Sequence, residues 1–279
     1  MTAAITAYGE ASVDGITPWW PTSERDLKRN GKRNAMDRPR PPARLAVMSP
    51  VASFHLVRFT TPAVPRQLVT MPWQRHVLAH AEGLRFWRML GTGRGSSTAP
   101  GADLRRWAIF AVWDDERHLY DFTERSPLGR RFTSNSQSWN VVMHAHGGHG
   151  TWRGFDVLGA LPLVEHHDGP LVAITRAQVR MRHWRTFAAA GRPVSAAAQG
   201  AHGLRAVAGI GEAPIGRQAT VSVWDSIAHL QRFAYSDRAH ADVVRRTREQ
   251  RWYGEEMFAR FVPLRSWGAW DGVDPVAHG

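Results

Sequence analysis

Val112-Trp113-Asp114 recurs as Val223-Trp224-Asp225, 111 residues further along the chain. The same spacing carries His118-Leu119 onto His229-Leu230, Phe122 onto Phe233 and Trp73 onto Trp184. Working outward, Leu56-Val57-Arg58 aligns with Ile174-Thr175-Arg176, and Gly91-Thr92-Gly93 with Gly209-Ile210-Gly211. Trp139 aligns with Trp252, and Met143 to His146 with Met257 to Arg260. Thr151-Trp152-Arg153-Gly154-Phe155-Asp156 aligns with Ala269-Trp270-Asp271-Gly272-Val273-Asp274. Matches kept in one order over such a length identify a duplicated module.

Each copy reads β-α-β-β-α-β. In the second, Leu171 to Val179 is β-compatible and Arg182 to Ala190 is helix-like. Leu204 to Ile210 and Gln218 to Trp224 are two strands joined by the turn region Gly211 to Gly216. Asp225 is the expected N-cap of a helix from Ser226, Asp237 the cap of a second helical segment, and Met257 to Val262 the closing strand. The first copy follows the same order from Ser53 to His146. The fold class is therefore α+β, with two tandem ferredoxin-like repeats forming a dimeric α/β-barrel-type unit within one chain. Residues 1–47 read as a basic, Pro-rich tail without apolar periodicity, expected to be disordered. Residues 48–160 hold the first repeat and 161–279 the second.

The chain has 279 residues and no cysteine, which excludes disulfides, cysteine zinc sites, iron–sulfur clusters and thiolate-ligated haem. No apolar run of membrane-spanning length appears, and no apolar leader; a cytoplasmic protein is expected. The formal charge of +12 is spread along the chain, so no nucleic-acid partner is expected. Thirteen tryptophans suggest a wide apolar interior or cavity.

Among candidate site residues, His240 shares a helix stripe with Val243, Val244 and Thr247. An imidazole on such a stripe can ligate haem iron, or can simply be part-exposed or hydrogen-bonded at a helix N-terminus. The first copy's corresponding stretch, Ser126 to Arg130, has no histidine. Arg176 shares a strand face with Val172, Ile174 and Gln178, and is a candidate to polarise bound oxygen if that face lines a cavity; its alignment with Arg58 argues for a structural role instead. Arg245, Arg246, Arg248 and Arg251 make the same helix basic. His144 and His146, spaced as a strand pair, lack carboxylates to complete a metal site, and His166-His167 falls in the connector. Gly91 to Gly95 lacks the Lys-Ser/Thr of a P-loop and reads as a loop.

These residues resemble the spheroidene monooxygenase family of carotenoid biosynthesis over about residues 51 to 274. The resemblance rests on Leu171 to Ala177, on Gly209-Ile210-Gly211-Glu212-Ala213-Pro214, and on His240-Ala241, Arg245, Arg248-Glu249, Trp252 and Glu255-Glu256 through Ala259-Arg260-Phe261. In the first half it rests on Phe86-Trp87 through Gly91-Thr92-Gly93. It implies a haem-dependent monooxygenase that oxidises an acyclic carotenoid or similar apolar polyene, using O2 and electrons from reduced ferredoxin. Two hydroxylations at one allylic carbon then yield a ketone on loss of water. It implies His240 as the axial ligand; beside it, Arg248 is the candidate propionate partner and Arg176 the candidate distal group. Peripheral membrane contact through the basic surface fits a lipid-dwelling substrate. The long tail, the histidine-rich segment to His149 and the insertion from Ser96 to Ala102 depart from the pattern. The alternatives on sequence grounds are a haem-binding protein without turnover and a non-haem module for a small apolar ligand.

Overall fold

The computed structural model describes residues 49–93, 102–135, 137–184, 186–187, 189, 200–212, 216–236 and 252–277. The tail, Asp237, His240 and Arg248 lie outside the described residues. The first copy runs β1 (Val51–Arg58), α1 (Val64–Val69), α2 (Met71–Ala79), β2 (Leu84–Gly93), β3 (Ala102–Trp113), α3 (Glu116–Arg125), α4 (Pro127–Thr133) and β4 (Ser138–Gly150). The second runs β5 (Leu171–Val179), a short 3-10 turn, β6 (Leu204–Gly211), β7 (Arg217–Trp224), α5 (Ile227–Ser236) and β8 (Tyr253–Gly268).

Eight antiparallel strands close a barrel in the order β1-β3-β2-β6-β7-β5-β8-β4. Each copy contributes a four-stranded sheet in ferredoxin-like order, as the repeat predicts. Two seams join them. At β2–β6, among the described residues, Gly91↔Gly211 and Thr92↔Ile210 pair. At β4–β8 the pairing extends from Trp139↔Gly268 to Gly150↔Met257. Gly150 and Gly268 terminate that seam with φ of 90° and 84°. In each case an added Cβ would collide with the partner carbonyl, so glycine is required.

Strand alternation sends one residue set inward and the other toward the helices. The interior is filled by Phe54, Phe86, Phe110, Trp139, Trp152, Phe261 and Trp270 with aliphatic neighbours. Phe110 stacks on Trp152 at 5.2 Å, and Trp139 packs on Trp270 at 5.3 Å. Of the apolar interior or cavity expected from the tryptophans, the interior is present, and Trp139, Trp152 and Trp270 pack within it. A second cluster, under the first copy's helices, contains Val57, Trp107, Ile109, Trp113, Leu119, Phe122, Leu128 and Phe132.

The register also corrects part of the repeat alignment. Val51 faces Trp113 and Leu171 faces Trp224. Since those tryptophans are equivalent, β1 maps onto β5 with an offset of 120, so Leu56 corresponds to Arg176, not to Ile174. Leu84 and Leu204 face the same tryptophans, so Gly91 corresponds to Gly211. These two glycines pair with each other, which places the local two-fold axis between them. Met143 corresponds to Phe261 and Trp139 to Met257, the same offset of 118 that relates Trp152 to Trp270. The helix cap is corrected as well. Asp225 is held by Arg205 at 2.5 Å, and Ser226 Oγ accepts from the backbone of His229. The first copy does the same, with Asp114 on Arg85 and Asp115 capping at His118.

Candidate functional site

The two sheets differ on their outer faces. In the first copy this face carries His55, Val57, Trp107 and Ile109, all buried. Helix side chains Leu119, Phe122, Leu128 and Phe132 pack over it. The equivalent positions in the second copy are Thr175, Ala177, Gln218 and Thr220. Bulky groups have been exchanged for small or polar ones. Thr175 lies in the middle of β5, between Thr220 and Phe258, yet it is exposed. Described helix residues cover one end of this sheet only, where Leu230, Ile227 and Phe233 meet Leu171, Ala173 and Trp224. Among the described residues this face carries the hydroxyls of Thr175 and Thr220 where the first copy has His55 and Ile109.

His240, 111 residues after Gly129, belongs to the chain between α5 and β8. Gly129 is buried where α4 meets α3, and a Cβ there would collide with the Phe122 carbonyl. A histidine has no place in the first copy's packing. The two outer faces therefore differ in the side chains they present, and His240 itself lies outside the described residues.

Arg176 is placed on the opposite side of β5, inside the barrel, with its side chain 2% exposed. It forms an ion pair with Glu255 and lies 3.8 Å from Glu212. Glu212 also accepts from Trp152 Nε1 at 2.8 Å and pairs with Arg153 at 3.0 Å and Arg88 at 3.6 Å. Glu255 accepts from Gly154 N at 2.8 Å and Thr151 Oγ1 at 2.9 Å. Burial pushes the Glu255 carboxyl up. The Gly154 N–H, the Arg176 guanidinium and the Thr151 hydroxyl outweigh it and hold the group down at about 2. Burial lowers Arg88 to about 10 against the opposing pull of Glu212.

At the two-fold-related position the counterparts of Arg176, Glu255 and Arg153 are Leu56, Gln137 and Asp271. There a partly open cavity of about 390 Å³ is lined by Leu56, Arg58, Arg106, Gln137, Trp270 and Asp271. The five-residue ion cluster was not read from the sequence. Its available signal was the charge reversal between Trp152-Arg153-Gly154 and Trp270-Asp271-Gly272.

His144 is half-buried on the outer side of β4, and burial lowers its pKa despite the nearby Glu116. His146 donates through Nδ1 to the Val164 carbonyl at 2.7 Å. His167 Nε2 bonds the Pro170 carbonyl, and His166 is exposed. Among the described residues no group of three His, Asp or Glu side chains converges.

Comparison with known proteins follows from this geometry. The chain is 32% identical over 232 residues to the spheroidene monooxygenase of Rhodobacter capsulatus, covering 82% of this chain and 96% of that protein. It is 34% identical to that of Rubrivivax gelatinosus, covering 68% of this chain and 73% of the relative. No family model matches. Among solved structures, an aldoxime dehydratase in complex with butyraldoxime aligns with a TM-score of 0.54 at 11% identity, covering 82% of this chain and 81% of that one. Another aldoxime dehydratase structure gives 0.50 at 10% identity, covering 82% and 83%. At such identity these two establish the fold alone.

Proposed function

Because the chain belongs to the spheroidene monooxygenase family, and is thus an oxidoreductase of the oxygenase class, we propose that it is a haem-dependent monooxygenase acting on an acyclic carotenoid or a similar apolar polyene. The observation that carries the haem assignment is the second sheet's outer face, stripped of the side chains that fill its counterpart. His240 would hold the iron as a neutral imidazole, and Arg248 would neutralise a propionate. Haem, when bound, supplies the activation of oxygen.

The protein's part is to orient, to exclude water and to place protons. Thr175 and Thr220, side by side in register, present hydroxyls on the face assigned to the group. Each can donate or accept a hydrogen bond there. Arg176 stands on the other side of the same strand, tied to Glu255 and Glu212. Its oxygen-polarising role is therefore transferred to the hydroxyls of the outer face, and Arg176 is assigned to holding the barrel end rigid. The apolar substrate is assigned to the same outer face, since the barrel interior is packed apart from the cavity at Leu56, which Arg58, Arg106 and Asp271 make charged. Reduced ferredoxin is the proposed electron donor, docked by charge on a protein of net +12. No described helix is long and apolar enough to cross a membrane, so contact with a lipid-borne polyene is assigned to the protein surface.

The test is turnover under 18O2 with reduced ferredoxin and an acyclic carotenoid. The proposal expects one labelled oxygen in the first hydroxylated product and a ketone after the second round. Product oxygen drawn only from water, or reaction without O2, would contradict it.

A further inference from the structure

The corner between α1 and α2 is built inside out. Gln67 and Gln74 are fully buried, whereas Leu68, Val69 and Trp73 are 41%, 80% and 43% exposed. Buried polar groups and clustered exposed apolar ones are the informative exceptions to ordinary burial. The two glutamines fix the corner. Gln67 Nε2 donates to Gln74 Oε1 at 3.1 Å, and Gln74 Nε2 returns a bond to Gln67 Oε1 at 3.2 Å. Thr70, at the junction of the helices, accepts from Gln74 and donates to the Arg66 carbonyl. With its polar groups satisfied internally, the corner presents Leu68, Val69, Pro72 and Trp73 outward on a rigid support.

The charge around it has one sign. From Phe59 to Ala81 the sequence contains no Asp or Glu, but it contains Arg66 and Arg75. Arg131 reaches the corner from α4, donating to Thr70 Oγ1 at 3.2 Å with its guanidinium 4.9 Å from the Phe59 ring. Arg66 lies near enough to depress it further after burial has done so. Among the described residues none of these three arginines has a carboxylate within ion-pair distance. The other exposed large apolar residues, such as Leu104, Leu163 and Met181, are far apart in the sequence.

We propose that the α1–α2 corner is a peripheral membrane-docking surface, with Leu68, Val69 and Trp73 entering the interfacial layer of a bilayer and Arg66, Arg75 and Arg131 meeting anionic headgroups. Aliphatic side chains beside a tryptophan, ringed by cations, match the two parts of such an interface. A purely acidic protein partner would use the arginines but leave Val69 in water. The purpose follows from the proposed polyene substrate, which resides in lipid; the binding itself requires neither haem nor turnover.

The test is co-sedimentation of the full chain with phosphatidylcholine vesicles, with and without one-third phosphatidylglycerol. Wild type should bind the anionic vesicles, weakening as salt rises. Leu68→Gln/Val69→Ser/Trp73→Gln should bind at least about tenfold more weakly, with an unchanged Tm. Arg66→Gln/Arg75→Gln should lose its preference for anionic vesicles, while Leu163→Gln, a single exposed residue elsewhere, should bind as wild type does. Absence of wild-type binding, or equal binding by the triple variant, would overturn the proposal. So would a triple variant that keeps vesicle binding but loses electron transfer from ferredoxin, which would make the corner a protein-docking surface.

Discussion

Replacing Arg176 with leucine, the residue its counterpart Leu56 already provides, isolates what the interior ion cluster contributes. Arg176 is almost fully enclosed, pairs with Glu255 and lies 3.8 Å from Glu212. Removing one partner of a buried pair typically destabilises by about 3–5 kcal/mol, because the other charge is left without compensation. Here Glu212 keeps Trp152, Arg153 and Arg88, and Glu255 keeps Gly154 and Thr151. The loss should therefore fall at the lower end, about 3 kcal/mol. In a folded unit of this size that lowers Tm by about 6–12 °C. Adding Glu255→Gln reproduces the Leu56/Gln137 arrangement of the first copy and removes the stranded charge. The double variant should lie within about 1 kcal/mol of wild type, giving a coupling of at least about 2 kcal/mol once the cost of Glu255→Gln alone is included. Urea unfolding of the four proteins of the cycle measures this. A single variant within about 1 kcal/mol of wild type, or a double variant no more stable than the single, would refute the reasoning.

Three further outcomes follow. Glu255 has a folded pKa of about 2 against an ordinary 4.5. The stability it brings is complete above the unfolded pKa and is lost as pH falls from about 4.5 toward 2. After screening of a partly exposed carboxylate this amounts to about 1–2 kcal/mol, and a Tm series over pH 5 to 2 should be flatter for the double variant than for wild type. Gly83 has φ of 69° and lies against the His118 ring, as Gly203 does against His229. Gly83→Ala should cost about 2 kcal/mol or more by denaturation, and an unchanged midpoint would refute the turn geometry. Ala177→Val/Thr220→Ile restores first-copy side chains to the second sheet. It should reduce haem uptake in a titration without lowering Tm, whereas undiminished uptake would place the haem elsewhere.

Much of the fold was legible because the anchors of the duplication are chemically unusual. A tryptophan followed by an acidic residue at a strand end survives in both copies. The strand frames were less legible for a physical reason. A slip of two residues keeps every side chain on its own face, so hydrophobic alternation cannot distinguish Leu56/Ile174 from Leu56/Arg176. Gly-x-Gly fits both frames equally well. That slip hid the replacement of a core leucine by Arg176, and with it the ion cluster, since Glu212 and Glu255 converge on Arg176 only after the barrel closes. His240 lies outside the described residues, so its helix stripe stands as a sequence expectation. The exchange of Val57 and Ile109 for Ala177 and Thr220 was not legible, because it depends on comparing the outer faces of two folded sheets in the correct register. The α1–α2 corner escaped notice because Gln67 and Gln74 look like surface residues until their mutual hydrogen bonds are seen.

The most direct test of the central claim is an absorption spectrum of the full chain after haem reconstitution, beside His240→Ala. The account predicts a Soret band in wild type that is lost or shifted in the variant. No Soret band in wild type would contradict the haem assignment, and a band unchanged in the variant would contradict His240 as its ligand.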